Sequence, residues 1–161
     1  MRFHRILIAS LAALLLTATP VATASIATPF KSEATLQASL TPTSVPGVFT
    51  GTLTGEGRAS HLGSVTLSLT ETLDFAMSPG VIVVRGGRMV MVAANGDELH
   101  WTYEGTGSLP DADGNTVITG SFVITGGTGR FTDATGGGTI QGSVDTVTSV
   151  VSVTYRGTIT Y

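Results

Sequence analysis

The sequence predicts an all-β protein built as a small antiparallel barrel of about eight strands. Apolar and polar residues alternate with a period of two along most of residues 46–161. Turn residues separate these runs at the spacing expected of a sandwich or a barrel. Several runs carry glycine inside the strand, which favours a barrel because glycine relieves the strain of closing a sheet.

Residues 1–24 have the composition of a secretory signal peptide. Arg2 and Arg5 supply the positive start, and residues 6–16 form a mostly apolar core. This core is shorter than the roughly 20 residues that a membrane-spanning helix needs. Small residues just before Ser25 predict cleavage there, so the mature protein is expected to be secreted. The alternative is an uncleaved anchor.

Residues 25–45 are rich in Ser, Thr, Ala and Pro and keep no periodicity for long. This composition predicts a flexible leader between the signal peptide and a barrel domain of residues 46–161. Within the leader, residues 33–40 have two further interpretations, a weak helical turn or an additional edge strand.

The clearest alternation lies at residues 64–75. Its apolar face is Val65, Leu67, Leu69, Leu73 and Phe75. Such alternation predicts a strand with one buried face and one wet face. The same pattern recurs further along the chain, around Leu53, Met89, Trp101, Phe122, Ile140 and Val153.

Turn signals separate these strands. Pro79-Gly80 predicts a turn, and Asn95-Gly96 predicts a type I′ hairpin because both residues accept a positive φ. Gly86-Gly87 breaks or bulges the strand that begins near residue 81.

Composition excludes several kinds of site. The chain has no cysteine, which excludes disulfides, thiolate metal sites and cysteine nucleophiles. Only 12% of residues are charged and the net charge is -3. The sequence therefore shows no cluster of Lys and Arg of the kind that binds nucleic acid. After signal cleavage two histidines remain, so a zinc site with three protein ligands would need carboxylates as well. No metal or other cofactor is expected.

The most distinctive run of the chain is Gly126-Gly127-Thr128-Gly129-Arg130-Phe131. Between two strands, these glycines predict a turn, with Phe131 folded back as an anchor. Arg130 is expected to bond turn carbonyls or to pair with Asp133. The alternative is an anion-binding nest of backbone N–H groups, but the lysine and the helix of a phosphate loop are missing.

Residues 123–131, followed by Ala134-Thr135-Gly136, resemble the signature of dirigent proteins and of allene oxide cyclase-like barrels. Two further runs are similar to small secreted bacterial relatives of that group, mostly of unassigned function. These runs are residues 57–63, of the form Gly-x-x-x-His-Leu-Gly, and residues 94–97, Ala-Asn-Gly-Asp.

The resemblance covers residues 46–161. It implies an eight-stranded antiparallel barrel with a central pocket, and a homo-oligomer that in the plant members is commonly a trimer. It also implies an activity that closes an unstable epoxide or steers the coupling of phenoxy radicals. None of the catalytic residues of that group is placed on this chain by the resemblance.

Two polar residues, His61 and Glu71, share the parity of the apolar face. Inside an apolar barrel either side chain would have a perturbed pKa and could act as an acid or a base. Ten residues of strand span roughly 33 Å, so the two are not expected to act as a pair. The alternatives are a bulge at Gly63 that turns His61 outward, and a strand end at Glu71.

An apolar ligand cavity is expected to be lined by Leu69, Trp101, Tyr103 and Phe122, with plain core packing as the alternative. Three functions remain open: a secreted barrel that binds a small apolar ligand or a surface component, a cyclase- or dirigent-like protein, and a structural cell-surface barrel without a ligand. An outer-membrane barrel would alternate in the same way but would carry aromatic girdles at both interfaces. No membrane insertion is expected after signal cleavage.

Overall fold

Eight antiparallel strands close into a barrel in the computed structural model of the chain, which describes residues 26–161. The strands are β1 (Thr28–Pro42), β2 (Val48–Ala59), β3 (Gly63–Asp74), β4 (Val81–Ala93), β5 (Glu98–Ser108), β6 (Asn115–Gly127), β7 (Thr135–Asp145) and β8 (Val150–Thr160). A short 3-10 turn, Gly129–Phe131, follows β6. Each strand pairs with its neighbours in sequence, and β1 pairs with β8. The predicted all-β barrel of about eight antiparallel strands is therefore confirmed.

The first strand lies where a flexible leader was predicted. β1 pairs with β2 on one edge and with β8 on the other, so the leader prediction for residues 25–45 is wrong over Thr28–Pro42. The predicted start of the barrel domain at residue 46 is therefore also wrong, because β1 belongs to the barrel. The predicted signal peptide of residues 1–24 lies outside the described residues. Residues 33–40 do form a strand, but neither of its edges is free.

The pattern of β1 is weak because its inward residues are small or polar. Phe30, Ser32, Ala34 and Leu36 point inward and are buried, while the residues between them are exposed. Only two of these four are large and apolar, so the alternation carries little contrast in hydrophobicity. The strand forms because it satisfies the backbone groups that β2 and β8 would otherwise leave unpaired at an open edge.

The apolar face of the alternation lies inside the barrel. On β3, for example, Val65, Leu67 and Leu69 are buried and the Thr and Ser residues between them are exposed. Gly105 and Gly120 face each other in register, and their strands approach too closely for a Cβ atom at either position. No helix among the described residues is long and apolar enough to cross a membrane.

The two ends of the barrel differ. One end, called the open end, carries the connections β1–β2, β3–β4, β5–β6 and β7–β8. The other, called the closed end, carries β2–β3, β4–β5 and β6–β7, with the start of β1 and the end of β8. Between them lies an aromatic layer of Phe30, Trp101, Phe122 and Tyr155, with ring centroids 5.3 to 5.9 Å apart. These rings fill the middle of the interior.

Candidate functional site

An apolar cavity of about 210 Å³ occupies the half of the barrel next to the open end. All eight strands contribute inward side chains to its wall, most of them Leu, Val, Ile or Ala. These side chains are smaller than the aromatic rings of the middle layer, so they leave the axis of the barrel unfilled. Leu40 and Phe75 line the cavity and are also exposed to solvent, which places its mouth at the open end.

Glu71 points into this cavity. It keeps the inward parity of Leu69 and Leu73 on β3, as the sequence predicted. The hydroxyl of Tyr103, on β5, donates a hydrogen bond of 2.8 Å to Glu71 Oε2. Burial raises the pKa of Glu71, and the hydrogen bond from Tyr103 acts in the opposite direction. Burial also raises the pKa of Tyr103, and the nearby Glu71 carboxyl adds to that rise.

A β-bulge in β4 builds the Glu71–Tyr103 pair. The β3–β4 register shifts beside Glu71, so that Gly86 and Gly87 together oppose this one residue. Gly86 has a φ of 62°, which a side chain would strain. A Cβ atom on Gly87 would lie 2.5 Å from the Tyr103 ring, so the ring can lie against β4 only because residue 87 is glycine. The predicted break or bulge at Gly86-Gly87 is thus a bulge, and it aims Tyr103 at the carboxyl.

The opposite neighbour of Glu71 is also glycine. Gly51 pairs with Glu71 across β2 and β3, and a Cβ atom there would lie 3.0 Å from Glu71 Cγ. The absent side chain leaves room for the carboxyl group within the wall. Glu71 therefore stands between two strands that present no side chain to it.

Tyr155 and Thr116 are two further polar residues of the cavity wall, and Thr146 and Ser149 of the β7–β8 connection also border the cavity. Tyr155, on β8, has a pKa raised first by burial and then by the charge of Glu71. Thr116, on β6, is only 3% exposed, and its Oγ1 has no hydrogen-bond partner among the described residues. Within residues 26–161 no Lys, Arg or His lines the cavity. Glu104 borders it, but its position on β5 faces outward and is exposed.

Phe131 fills the interior of the closed end. This side chain is fully buried, its ring lies 4.9 Å from that of Tyr161, and the Arg130 guanidinium lies 4.8 Å above it. A Cβ atom on Gly129 would overlap the Asp97 carboxylate, and one on Gly127 would overlap a backbone carbonyl of β5. The glycine-rich run therefore serves as a turn that packs the β6–β7 connection onto the β4–β5 hairpin.

Arg130 joins the closed-end loops to one another. Its guanidinium donates to the backbone carbonyl of His61, and its Nε lies 3.5 Å from Asp97 Oδ2. Of the two expected contacts of Arg130, the bond to a turn carbonyl is present, and the carboxylate beside its guanidinium is Asp97 of the β4–β5 turn instead of Asp133. Glu98 N–H donates to the Thr128 hydroxyl across the same contact.

His61 lies in the β2–β3 turn at the closed end, away from the cavity. Its φ is 68° and that of Gly63 is 77°, so the chain reverses here and the inward parity does not reach His61. Its Nε2 donates to the Pro29 carbonyl at 2.9 Å, and its Nδ1 accepts from the Tyr161 hydroxyl at 3.2 Å. The expected inward position of His61 is wrong, and the alternative of an outward turn near Gly63 describes it.

The predicted ligand-lining residues divide into two pairs. Leu69 and Tyr103 line the cavity, whereas Trp101 and Phe122 lie in the aromatic layer below it, so the lining role predicted for the latter two is wrong. Alternation gives the side of the wall that a residue faces but not its depth along the axis. Thr116 was missed, although it shares the parity of Ile118 and the same rule would have found it.

Comparisons of the chain with protein-family models, with curated proteins and with solved structures give no match. Nothing in them links the barrel to the allene oxide cyclase and dirigent group, so that resemblance stays a prediction. Within residues 26–161 no three His, Asp or Glu side chains lie close enough together to hold a metal ion. The arrangement that the described residues do offer is one acid, hydrogen-bonded to one tyrosine, in an apolar cavity.

Proposed function

We propose that the protein binds a small apolar molecule in the cavity at the open end. The cavity itself carries this proposal, because it encloses about 210 Å³ and its wall is almost wholly apolar. Pockets for drug-sized ligands measure roughly 300–1,000 Å³, and an engineered cavity of about 150 Å³ holds benzene. The space therefore suits a molecule of about one or two rings, or a short alkyl chain.

The rim of the open end supports the proposal. Each of its four connections exposes at least one large apolar side chain at this end of the barrel: Val45, Met77, Leu109 and Val147, with Phe75 as a fifth. Exposed apolar side chains that cluster around an apolar opening mark binding sites more often than isolated ones do. A surface component with an apolar group is thus a second kind of partner that would use the same mouth.

We propose further that the barrel acts outside the cell. The signal-like composition of residues 1–24 supports export, and the exposed Thr and Ser of the outer wall suit a barrel surrounded by water. A homo-oligomer, a trimer by resemblance, remains a prediction. Sedimentation of the purified mature chain would decide its oligomeric state.

The experiment fills the cavity and measures the loss of binding. Naphthalene, followed by its fluorescence, is expected to bind the wild-type protein. Ala38 lines the cavity and Ser39, the next residue, faces outward, so Ala38→Phe and Ser39→Phe place the same ring on opposite sides of one strand. Ala38→Phe is expected to weaken binding at least about tenfold, which is about 1.4 kcal/mol, while Ser39→Phe leaves it unchanged.

Failure of the wild-type protein to bind naphthalene would contradict the proposal, and so would equal binding by the two variants. A stable oligomer that binds no probe would instead favour the structural cell-surface barrel. Circular dichroism of both variants provides the control for folding.

Acid–base catalysis in the cavity is the second candidate, and Glu71 is the observation that favours it. A carboxyl group with a raised pKa inside an apolar space is suited to donate or accept a proton. A cyclase-like activity of this kind predicts that the protein accelerates the isomerisation of a small apolar epoxide, such as styrene oxide to phenylacetaldehyde. Glu71 would protonate the epoxide oxygen as the benzylic C–O bond breaks, a hydride would shift to the benzylic carbon, and the proton on the oxygen would return to the Glu71 carboxylate. Glu71→Gln should abolish the acceleration, and an unchanged rate in that variant would rule out the acid–base role.

A further inference from the structure

We infer that the ligand is a small amine, an apolar body that carries one protonated nitrogen and pairs it with the Glu71 carboxylate. This inference rests on the proposed function, since it requires that the cavity be occupied. It adds to that function the chemical class of the ligand and the atom that recognises it.

Among residues 26–161, no positively charged side chain lies where it could pair with Glu71. The titratable groups that face it are Tyr103 from β5 and Tyr155 from β8, and both are neutral acids with raised pKa values. The neighbouring strands β2 and β4 present Gly51 and Gly87. A buried carboxylate with only neutral neighbours is costly, and a cation that enters with the ligand would offset that cost.

The carboxyl group also has an unused acceptor. Tyr103 occupies Oε2, and no hydrogen bond to Oε1 is made by any of the described residues. Oε1 lies 3.2 Å from the point where a Cβ atom on Gly51 would lie, so residue 51 places no side chain against this oxygen. An ammonium group has three N–H donors and no acceptor, which matches a carboxylate oxygen that has no donor.

The charge around the mouth favours a cation. The connections of the open end contain Asp111 and Asp113 and no Lys or Arg, and Arg85 on the nearby part of β4 is paired with Asp74. Asp145, at the end of β7, has its pKa lowered by the backbone N–H of Thr148 and by other hydrogen bonds of that turn, so it stays charged. Acidic groups around an opening attract amines and repel carboxylates such as short fatty acids.

One competing interpretation keeps Glu71 protonated, so that it donates a hydrogen bond to an uncharged ligand oxygen. Burial, which raises the pKa of Glu71, acts in that direction. The two interpretations require different ligands. A cationic amine is preferred if the carboxylate is the recognising form, and an alcohol or ketone is preferred if the neutral acid is.

The test is a competition between three probes of equal length. Hexylamine, hexanol and hexanoate are each titrated against naphthalene bound to the wild-type protein at pH 7.5. Hexylamine is expected to displace naphthalene at a concentration at least tenfold lower than hexanol, and hexanoate to require the highest concentration. Equal or better displacement by hexanol would overturn the inference and support the neutral-acid interpretation.

Two variants identify the group that gives the preference. The amine preference is the ratio of the hexanol concentration to the hexylamine concentration that displaces half of the bound naphthalene. In Glu71→Gln this ratio is expected to fall to within about twofold of unity. The same ratio is expected to be unchanged in Glu56→Gln, which removes one carboxylate from the outer face of β2. A ratio that survives in Glu71→Gln would overturn the assignment of the site to Glu71.

A measurement on the wild-type protein alone covers the case in which Glu71→Gln fails to fold. Hexylamine stays protonated at and below pH 7.5, whereas Glu71 gains its proton as the pH falls. The amine preference should therefore decline toward acid, and a preference that is constant from pH 7.5 to pH 4 would contradict the inference. If naphthalene itself does not bind, both the proposed function and the inference fail. If it binds without an amine preference, only the inference fails.

Discussion

The two ends of the barrel use the same paired strands and differ in how their connections are held. At the closed end the loops bind one another, since Arg130 reaches both His61 and Asp97, and Phe131 packs on Tyr161. At the open end, three turns are each held by an aspartate whose carboxylate accepts hydrogen bonds from backbone N–H groups of the same turn. These residues are Asp74, Asp111 and Asp145. The closed end is therefore stabilised by contacts between loops, whereas the loops of the open end are stabilised mainly by contacts within each loop and do not cover the cavity.

Because of this difference, we expect folding stability to depend mainly on the closed end of the barrel and ligand binding mainly on the open end. Some contacts do join neighbouring loops at the open end, such as Thr146 to Gly114 and Phe75 to Gly47, but each runs between adjacent connections. The aromatic layer stands between the two ends. Changes at the closed end are therefore expected to affect folding, while equivalent changes at the open end affect the cavity.

The largest expected effect comes from removing the aromatic ring that fills the closed end. Phe131→Ala should lower the free energy of unfolding by about 3–5 kcal/mol, the usual cost for a fully buried phenylalanine. Phe75→Ala is the matched change at the open end. Its ring is 38% exposed and packs mainly on Phe49, so it should cost about 1 kcal/mol.

Urea denaturation of the two variants measures this difference. Naphthalene binding provides the second readout, since Phe75 lines the cavity and Phe131 does not. Equal losses of stability in the two variants would show that the closed end is not packed more tightly than the open end.

A smaller effect is expected from two glycines with positive φ, one at each end. Gly129→Ala places a Cβ atom against the Asp97 carboxylate at a φ of 57°, and should cost about 2–3 kcal/mol from overlap and backbone strain together. Gly80→Ala, at a φ of 81°, meets no atom within 4 Å and should cost about 1 kcal/mol from strain alone.

Thermal denaturation compares the two glycine variants. Gly129→Ala is also expected to separate Arg130 from Asp97, which hydrogen exchange of the β4–β5 turn would detect. A variant of Gly80 that is as unstable as the variant of Gly129 would mean that the open-end turns are as tightly held as the closed-end contacts.

Most of the wall of the barrel could be predicted from the sequence, because a period of two is a local signal. It identified seven of the eight strands, and it missed β1 because Ser32 and Ala34 stand where large apolar residues usually do. The contrast between the faces of β1 is low, and the strand is held by the edges of β2 and β8, which lie far away in sequence.

The site was less predictable because it depends on register and depth. Parity marked Glu71 as inward, but its bond to Tyr103 follows from a bulge that pairs distant residues. Parity also placed His61 inside, although a turn with positive φ ends the alternation before it. The partner of Arg130 is 33 positions away, so no local pattern distinguishes Asp97 from the nearby Asp133.

The smallest expected effect is the pH dependence that Glu71 gives to the stability of the cavity half. The pKa of Glu71 is raised in the folded protein above its ordinary value of 4.5 by burial. The folded protein therefore keeps a proton that the unfolded chain has already lost, and stability falls as the pH rises through the window above 4.5. Glu71→Gln carries no such proton, so its stability relative to the wild-type protein should increase from pH 4 to pH 8.

Glu56→Gln, on the outer wall of β2, is the control, and its difference in stability from the wild-type protein should be nearly constant over this range. Urea denaturation at several pH values, without any amine in the buffer, measures both. A difference for Glu71→Gln that stays flat or shrinks as the pH rises would mean that burial at the open end does not disfavour the carboxylate, and that the charge of Glu71 needs no partner from a ligand.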